Sequence, residues 1–292
     1  ISACLVGSEM CIRDRINADS GDDAVTVNSS ATGLTLNTGT GTDSLTSTTT
    51  ADTLTVSGAN SGSLGSIGFS NLENVTLGAG ADTATIAAGA SLSTLNAGAG
   101  SDTLNTNASA NSLVVNASAA GTVDGTAISN FETINTLDGN DAITVNDSAT
   151  ALNLNTGNGS DSLTSTTTAD SLTVSAAKAG NLGSIAFSGL ENITLGAGAD
   201  TATIAAGASL STLNAGAGSD TLNTNASANS LVVNASAAGT VDGTAISNFE
   251  TINTLAGDDS VTVNNSGTAL TLNTGDGTDS LTSSTSADTL NV

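Results

Sequence analysis

Gly78-Ala-Gly-Ala-Asp82-Thr-Ala-Thr-Ile86 is echoed, at an offset of 20, by Gly98-Ala-Gly-Ser-Asp102-Thr-Leu-Asn-Thr106, and this pair of stretches decides the fold. Each opens with glycines, which supply the positive φ that tight turns need. Each goes on, after its aspartate, into alternating apolar and small polar residues rich in Thr, Ile and Leu. Alternation with period two and β-branched residues marks a strand with one buried face. A helix is excluded on the same residues, because Gly, Thr, Ser and Asn are poor helix interiors and no 3.6-residue stripe appears.

Working outward, the turn recurs along the chain. Its aspartates are Asp23 and Asp43, Asp82 and Asp102, Asp141 and Asp161, Asp200 and Asp220, and Asp259 and Asp279, each pair 20 apart. Glu73, Glu132, Glu191 and Glu250 recur at a constant offset of 59, and Thr76–Leu137 is identical to Thr194–Leu255 at an offset of 118. A third turn is expected in the longer gaps, near Gly65, Asp124, Gly183 and Asp242. The chain therefore reads as an all-β protein, a parallel β-solenoid (β-roll or β-helix) of about 20-residue coils with three coils per 59-residue repeat. From Ile16 onward that makes about 14 coils. No coil buries its apolar face alone, so stability comes from neighbouring coils. Phe69, Phe131, Phe187 and Phe249 read as packing wedges in that thin core.

Composition narrows the function. Of 292 residues none is His, Trp, Tyr or Pro. The two cysteines, Cys4 and Cys11, lie in the first fifteen positions, and beyond Arg15 the only basic residue is Lys178. The remainder keeps a net charge of −24. With no basic patch to displace counterions, nucleic acid is not an expected partner, and no apolar run approaches the ~20 residues of a membrane span. An acid–base pair with a cationic substrate clamp is missing, and a serine without a basic partner is no nucleophile, so the expectation is a non-enzyme.

The first fifteen residues, ISACLVGSEMCIRDR, share nothing with the rest. Leu5–Arg15 resembles the conceptual translation of a transposase adapter from sequencing-library preparation. Residues 1–15 are accordingly expected to be a non-native or disordered leader, and 16–292 the solenoid, a fragment truncated at both ends of a longer chain.

The Gly-x-Gly-x-Asp turns resemble the calcium-binding nonapeptide of RTX β-rolls, and the wider unit resembles the strand repeats of large bacterial adhesins. The departures are a spacing of about 20 rather than nine residues, and Leu77-Gly78 and Ala97-Gly98 where the motif has Gly-Gly. The resemblance implies Ca²⁺ held by Asp23, Asp43, Asp82, Asp102, Asp141, Asp161, Asp200, Asp220, Asp259 and Asp279. It also implies a structural or adhesive shaft, extracellular or on a bacterial cell surface, whose partner is an unidentified surface or extracellular ligand. The alternative is a Thr-rich solenoid face that binds a ligand or ice, through outward positions such as Thr83, Thr85, Thr103 and Asn105.

Overall fold

The structure, a computed structural model, describes residues 14–31, 33–48, 50–234, 238–264 and 270–283. It is an all-β solenoid of mostly parallel strands. The chain divides into two units, the first running to Asp141 and including Leu152–Gly157, the second taking Ala142–Ala151 and the residues from Asn158.

In the first unit the chain passes back and forth between two sheets, or walls. The first wall holds, in spatial order, Asp14–Asn17, Leu34–Asn37, Ile67–Ser70, Ser61–Leu64, Thr53–Gly58, Thr83–Ile86, Thr103–Asn105, Thr133–Asn135 and Leu152–Asn155. The second holds Ala24–Val27, Ser44–Ser47, Asn74–Thr76, Thr94–Asn96, Thr126–Ser129, Ala120–Val123 and Ser112–Val115. Register is vertical: Leu54, Ala84, Leu104, Ile134 and Leu154 lie one above another. All five are buried, as the alternation requires, and Thr53, Thr83, Thr103 and Thr133 form the adjacent outward column. The second unit is built likewise. Leu172, Ala202, Leu222 and Ile252 stack in one wall, and Leu163, Ile193 and Leu213 in the other. The four phenylalanines are all buried.

The third coil of each repeat differs from expectation. The turns at Gly65, Asp124, Gly183 and Asp242 are not coil corners but hairpin turns within one wall. Thr53–Gly58, Ser61–Leu64 and Ile67–Ser70 form an antiparallel meander, as do Ser112–Val115, Ala120–Val123 and Thr126–Ser129. In the second unit the equivalents are Ser171–Ala176 to Ile185–Ser188 and Ser230–Val233 to Thr244–Ser247. Asp124 and Gly125 have φ of +47° and +85°. Paired positive φ values belong to the two-residue hairpin turn that Asp-Gly favours. The middle strand has room for only a glycine at one point: a Cβ on Gly62 would sit 2.0 Å from the Thr55 carbonyl oxygen and 2.8 Å from Phe69 Cζ.

Each 59-residue stretch therefore makes five wall visits, one of them expanded into a meander. Five is odd, so equivalent strands of successive repeats fall on opposite walls: Ala24–Val27 lies in the second wall and Thr83–Ile86 in the first. The two meanders of the first unit accordingly lie on opposite walls, and each wall gains the same two extra strands. Only two 59-residue steps restore the starting parity, which matches the sequence being near-identical at 118 and merely similar at 59.

The stack begins earlier than expected. Asp14 and Arg15, assigned from sequence to the leader, pair in parallel with Leu34 and Thr35. Strand pairing uses main-chain groups, which every residue except proline carries in full, so their foreign composition does not prevent it. The rest of the leader lies outside the described residues.

Candidate functional site: buried carboxylate ladders

At the ladder positions the chain bends just before a strand, and the residue at the bend, an aspartate or at two first rungs an asparagine, turns its main-chain N–H along the stack. That N–H donates to the carboxylate of the corresponding residue one coil later. The bond runs from Asp52 to Asp82 at 2.7 Å, from Asp82 to Asp102 at 2.8 Å, and from Asp102 to Glu132 Oε2 at 2.7 Å. In the second unit Asp170, Asp200, Asp220 and Glu250 repeat the chain at 2.7, 2.8 and 2.7 Å. Shorter runs link Asp23 to Asp43 and Glu73, and Asn229 to Asp259 and Asp279. The complete ladder is thus four residues spaced 30, 20 and 30 apart, starting on Asp and ending on Glu.

The ten sequence-predicted aspartates all lie at ladder positions, and Asp23 with Asp43, Asp82 with Asp102, Asp200 with Asp220, and Asp259 with Asp279 meet as stacked neighbours. Asp82, Asp102, Asp200 and Asp220 are at most 1% exposed, so their carboxylates point inward rather than into the turns. Asp141 accepts from the N–H of Asn111 at 2.8 Å and from Thr136 Oγ1, and Asp161 donates its N–H to Glu191 Oε2 at 2.7 Å. Asp23 and Asp279 are half-buried.

Sequence reasoning missed the ladder ends. Asp52 and Asp170, with Asn111 and Asn229, are first rungs, and the recurring glutamates are last rungs. The signal was present in Ala51-Asp52-Thr53 and Ala81-Asp82-Thr83, the same local motif at an offset of 30. Two of the glutamates have partners for their second oxygen. Glu73 Oε1 accepts from Asn60 Nδ2 at 2.6 Å, and Glu191 Oε1 is ion-paired with Lys178 at the equivalent position.

The chemistry of a ladder is mixed. A bend N–H buried without an acceptor costs about 1–3 kcal/mol, and a carboxylate answers it with a charge-assisted bond. Against this, carboxylates one strand spacing apart (~4.8 Å) repel by roughly 3 kcal/mol at an effective dielectric of ~20. Burial pushes the carboxyls of Asp82, Asp102, Asp200 and Asp220 above the ordinary aspartate range, and their acidic neighbours push the same way, while the N–H bond pulls down. On each of the four, Oδ2 is buried and receives no protein hydrogen bond.

The glycine turns pack corner on corner. Ala79–Gly80 pairs in parallel with Ala99–Gly100, and a Cβ on Gly100 would lie 1.5 Å from the Gly80 carbonyl oxygen. The second glycine of each turn is there for that close approach. Among the described residues no group of three or more Asp, Glu, Cys or His is arranged to hold a metal ion.

The outward wall carries paired Thr columns only in part. Thr53 and Thr55 stack with Thr83 and Thr85, but the second column then changes to Asn105, Asn135 and Asn155. Asn135 Nδ2 donates to Asn105 Oδ1 at 2.8 Å, a side-chain amide ladder on the surface. Compared with known proteins, the chain matches no family model and no curated protein.

Proposed function

We propose that this chain is a structural segment, a non-enzymatic spacer or adhesive shaft of a secreted or surface-attached bacterial protein. The observation that carries this reading is that the distinctive polar constellations are periodic. The ladders, the surface Asn stacks and the glycine corners each recur with the repeat, whereas a catalytic site needs one unique arrangement. Each coil touches only its neighbours, so length changes without new chemistry. The net negative charge keeps such segments soluble and mutually repelling.

The test is removal of one 118-residue period, residues 76–193, which rejoins identical sequence in register. The intact chain and the deletion variant are compared for folding by circular dichroism. Both are then compared for retention on crystalline polysaccharide, matrix protein and glass. A shaft predicts that the shortened chain folds and that any retention weakens gradually with length. A saturable binding or hydrolytic activity abolished outright by the deletion overturns the reading.

A further inference from the structure

The ladders present a chemical problem that the spacer reading leaves unanswered. Asp82 and Asp102 occupy adjacent coils with both carboxylates buried, and one oxygen of each is engaged by a main-chain N–H from the coil before. The other oxygen, Oδ2, is buried with no protein donor. Asp200 and Asp220 repeat the arrangement in the second unit. The charged groups facing these four are all acidic. Asp52 lies one coil before Asp82 and Glu132 one coil after Asp102, while Asp170 and Glu250 flank the other pair. Among the described residues the cations are Arg15, in the first strand, and Lys178, which is paired to Glu191 on a different ladder.

The ladder that begins at Asn111 shows what satisfies such a carboxylate. There Asn111 Nδ2 donates to Asp141 Oδ1 at 3.1 Å, and Thr136 Oγ1 donates to Asp141 Oδ2. That ladder supplies a neutral donor to Oδ2, where the Oδ2 atoms of Asp82 and Asp102 have none. A buried acceptor stacked on another acceptor becomes a hydrogen-bonded pair when one of them takes up a proton, since a protonated carboxyl is both donor and acceptor.

We infer that the stacked pairs Asp82–Asp102 and Asp200–Asp220 are proton-binding sites, and that proton uptake between their buried carboxyls tightens the solenoid in mildly acidic medium. The direction of the carboxyl shifts agrees with this geometry. A carboxyl raised above its unfolded value binds more protons in the folded chain than in the unfolded one. Its stabilisation is therefore complete below the unfolded value, ~3.9 for Asp, and is lost as pH rises through the folded value. Ordinary acid denaturation has the opposite sign.

The experiment is a thermal melt of the full chain from about pH 7.5 down to about pH 4.5, at constant ionic strength. The variant D82N/D102N/D200N/D220N is run beside it. Expected is a melting temperature that rises on acidification in the native sequence. In the variant the rise should be largely lost, with the neutral-pH melting temperature already higher. A melting temperature that falls with acid overturns the inference. So does an equal rise in both proteins, which would assign the effect to overall charge. A calcium arm at neutral pH separates the ligands: stabilisation by millimolar calcium beyond sodium at equal ionic strength, lost in the variant, would make the pairs metal sites and overturn the proton assignment. If the variant does not fold, ¹³C NMR titration of aspartate carboxyls in the native chain decides. A subset titrating above the ordinary ~3.9 supports the inference, and a set titrating uniformly near it overturns it.

Discussion

The main-chain N–H of Asp82 lies 2.8 Å from Oδ1 of Asp102, one coil along the stack. The same bond, at the same length, joins Asp200 to Asp220. These side chains act first as acceptors for bends that no strand partner serves, and their charge comes with that task.

Asp102 separates the two roles. Asp102→Asn keeps an oxygen for the Asp82 N–H and removes the charge, whereas Asp102→Ala removes both. The alanine variant is expected to be less stable than the asparagine variant by about 1–3 kcal/mol at neutral pH, the cost of a buried unanswered donor. Urea denaturation of the two proteins side by side measures the difference. Equal stabilities would mean that the bend N–H finds another acceptor.

Lys178 is half-exposed and its partner Glu191 is buried. Lys178→Ala leaves that carboxylate without its cation and is expected to cost about 1–3 kcal/mol. Lys178→Asn should lose much less, because Asn60 serves Glu73 at the same place in the preceding period. Chemical denaturation of the three proteins in low salt checks the ranking, and an alanine variant as stable as the asparagine variant would refute it.

Gly62 and Gly89 make a contrasting pair. A Cβ at Gly62 collides with the Thr55 carbonyl oxygen and Phe69, while one at Gly89, with φ of +73°, meets nothing within 4 Å. Gly89→Ala is expected to cost about 1–2 kcal/mol, from left-handed backbone alone. Gly62→Ala should cost more, with overpacking of about 1–3 kcal/mol plus the loss of meander pairing. Hydrogen exchange should show the extra loss concentrated in Thr53–Ser70, and uniform loss across the coils would contradict the assignment.

Gly100 tests the corner stacking. With a Cβ placed 1.5 Å from the Gly80 carbonyl oxygen, Gly100→Ala should force the Ala79–Gly80 and Ala99–Gly100 corners apart. The expected result is a lower melting temperature with the ladder bond between Asp82 and Asp102 weakened. That is read as faster exchange of the Asp82 amide; unchanged exchange would show that the corner yields without disturbing the bend.

Much of this was legible in the residues. Alternation placed Leu54, Ala84 and Leu104 inside and the threonines beside them outside, because a strand's side chains change face at every step. The spacing of 20 between Asp82 and Asp102 identified them as stacked neighbours. What hid the meander was that the same alternation serves a parallel and an antiparallel neighbour equally well. The Asp124-Gly125 and Asp242-Gly243 dipeptides were the available hairpin signal. Their counterparts Gly65-Ser66 and Gly183-Ser184 carry the Gly-Ser form of the same signal.

The sequence by itself determined an all-β repeat of short stacked coils, with glycine corners and an apolar inner face, because those follow from local backbone freedom and period-two patterning. Only the tertiary structure decided that one visit in five folds back on itself, that successive repeats exchange walls, and that the aspartates turn inward onto main-chain N–H groups. These depend on which strand lies beside which and in what direction. The pairing of Leu34 with Ile67 at the edge of a meander, for example, runs through main-chain groups that all residues except proline share, so period-two alternation alone does not specify it.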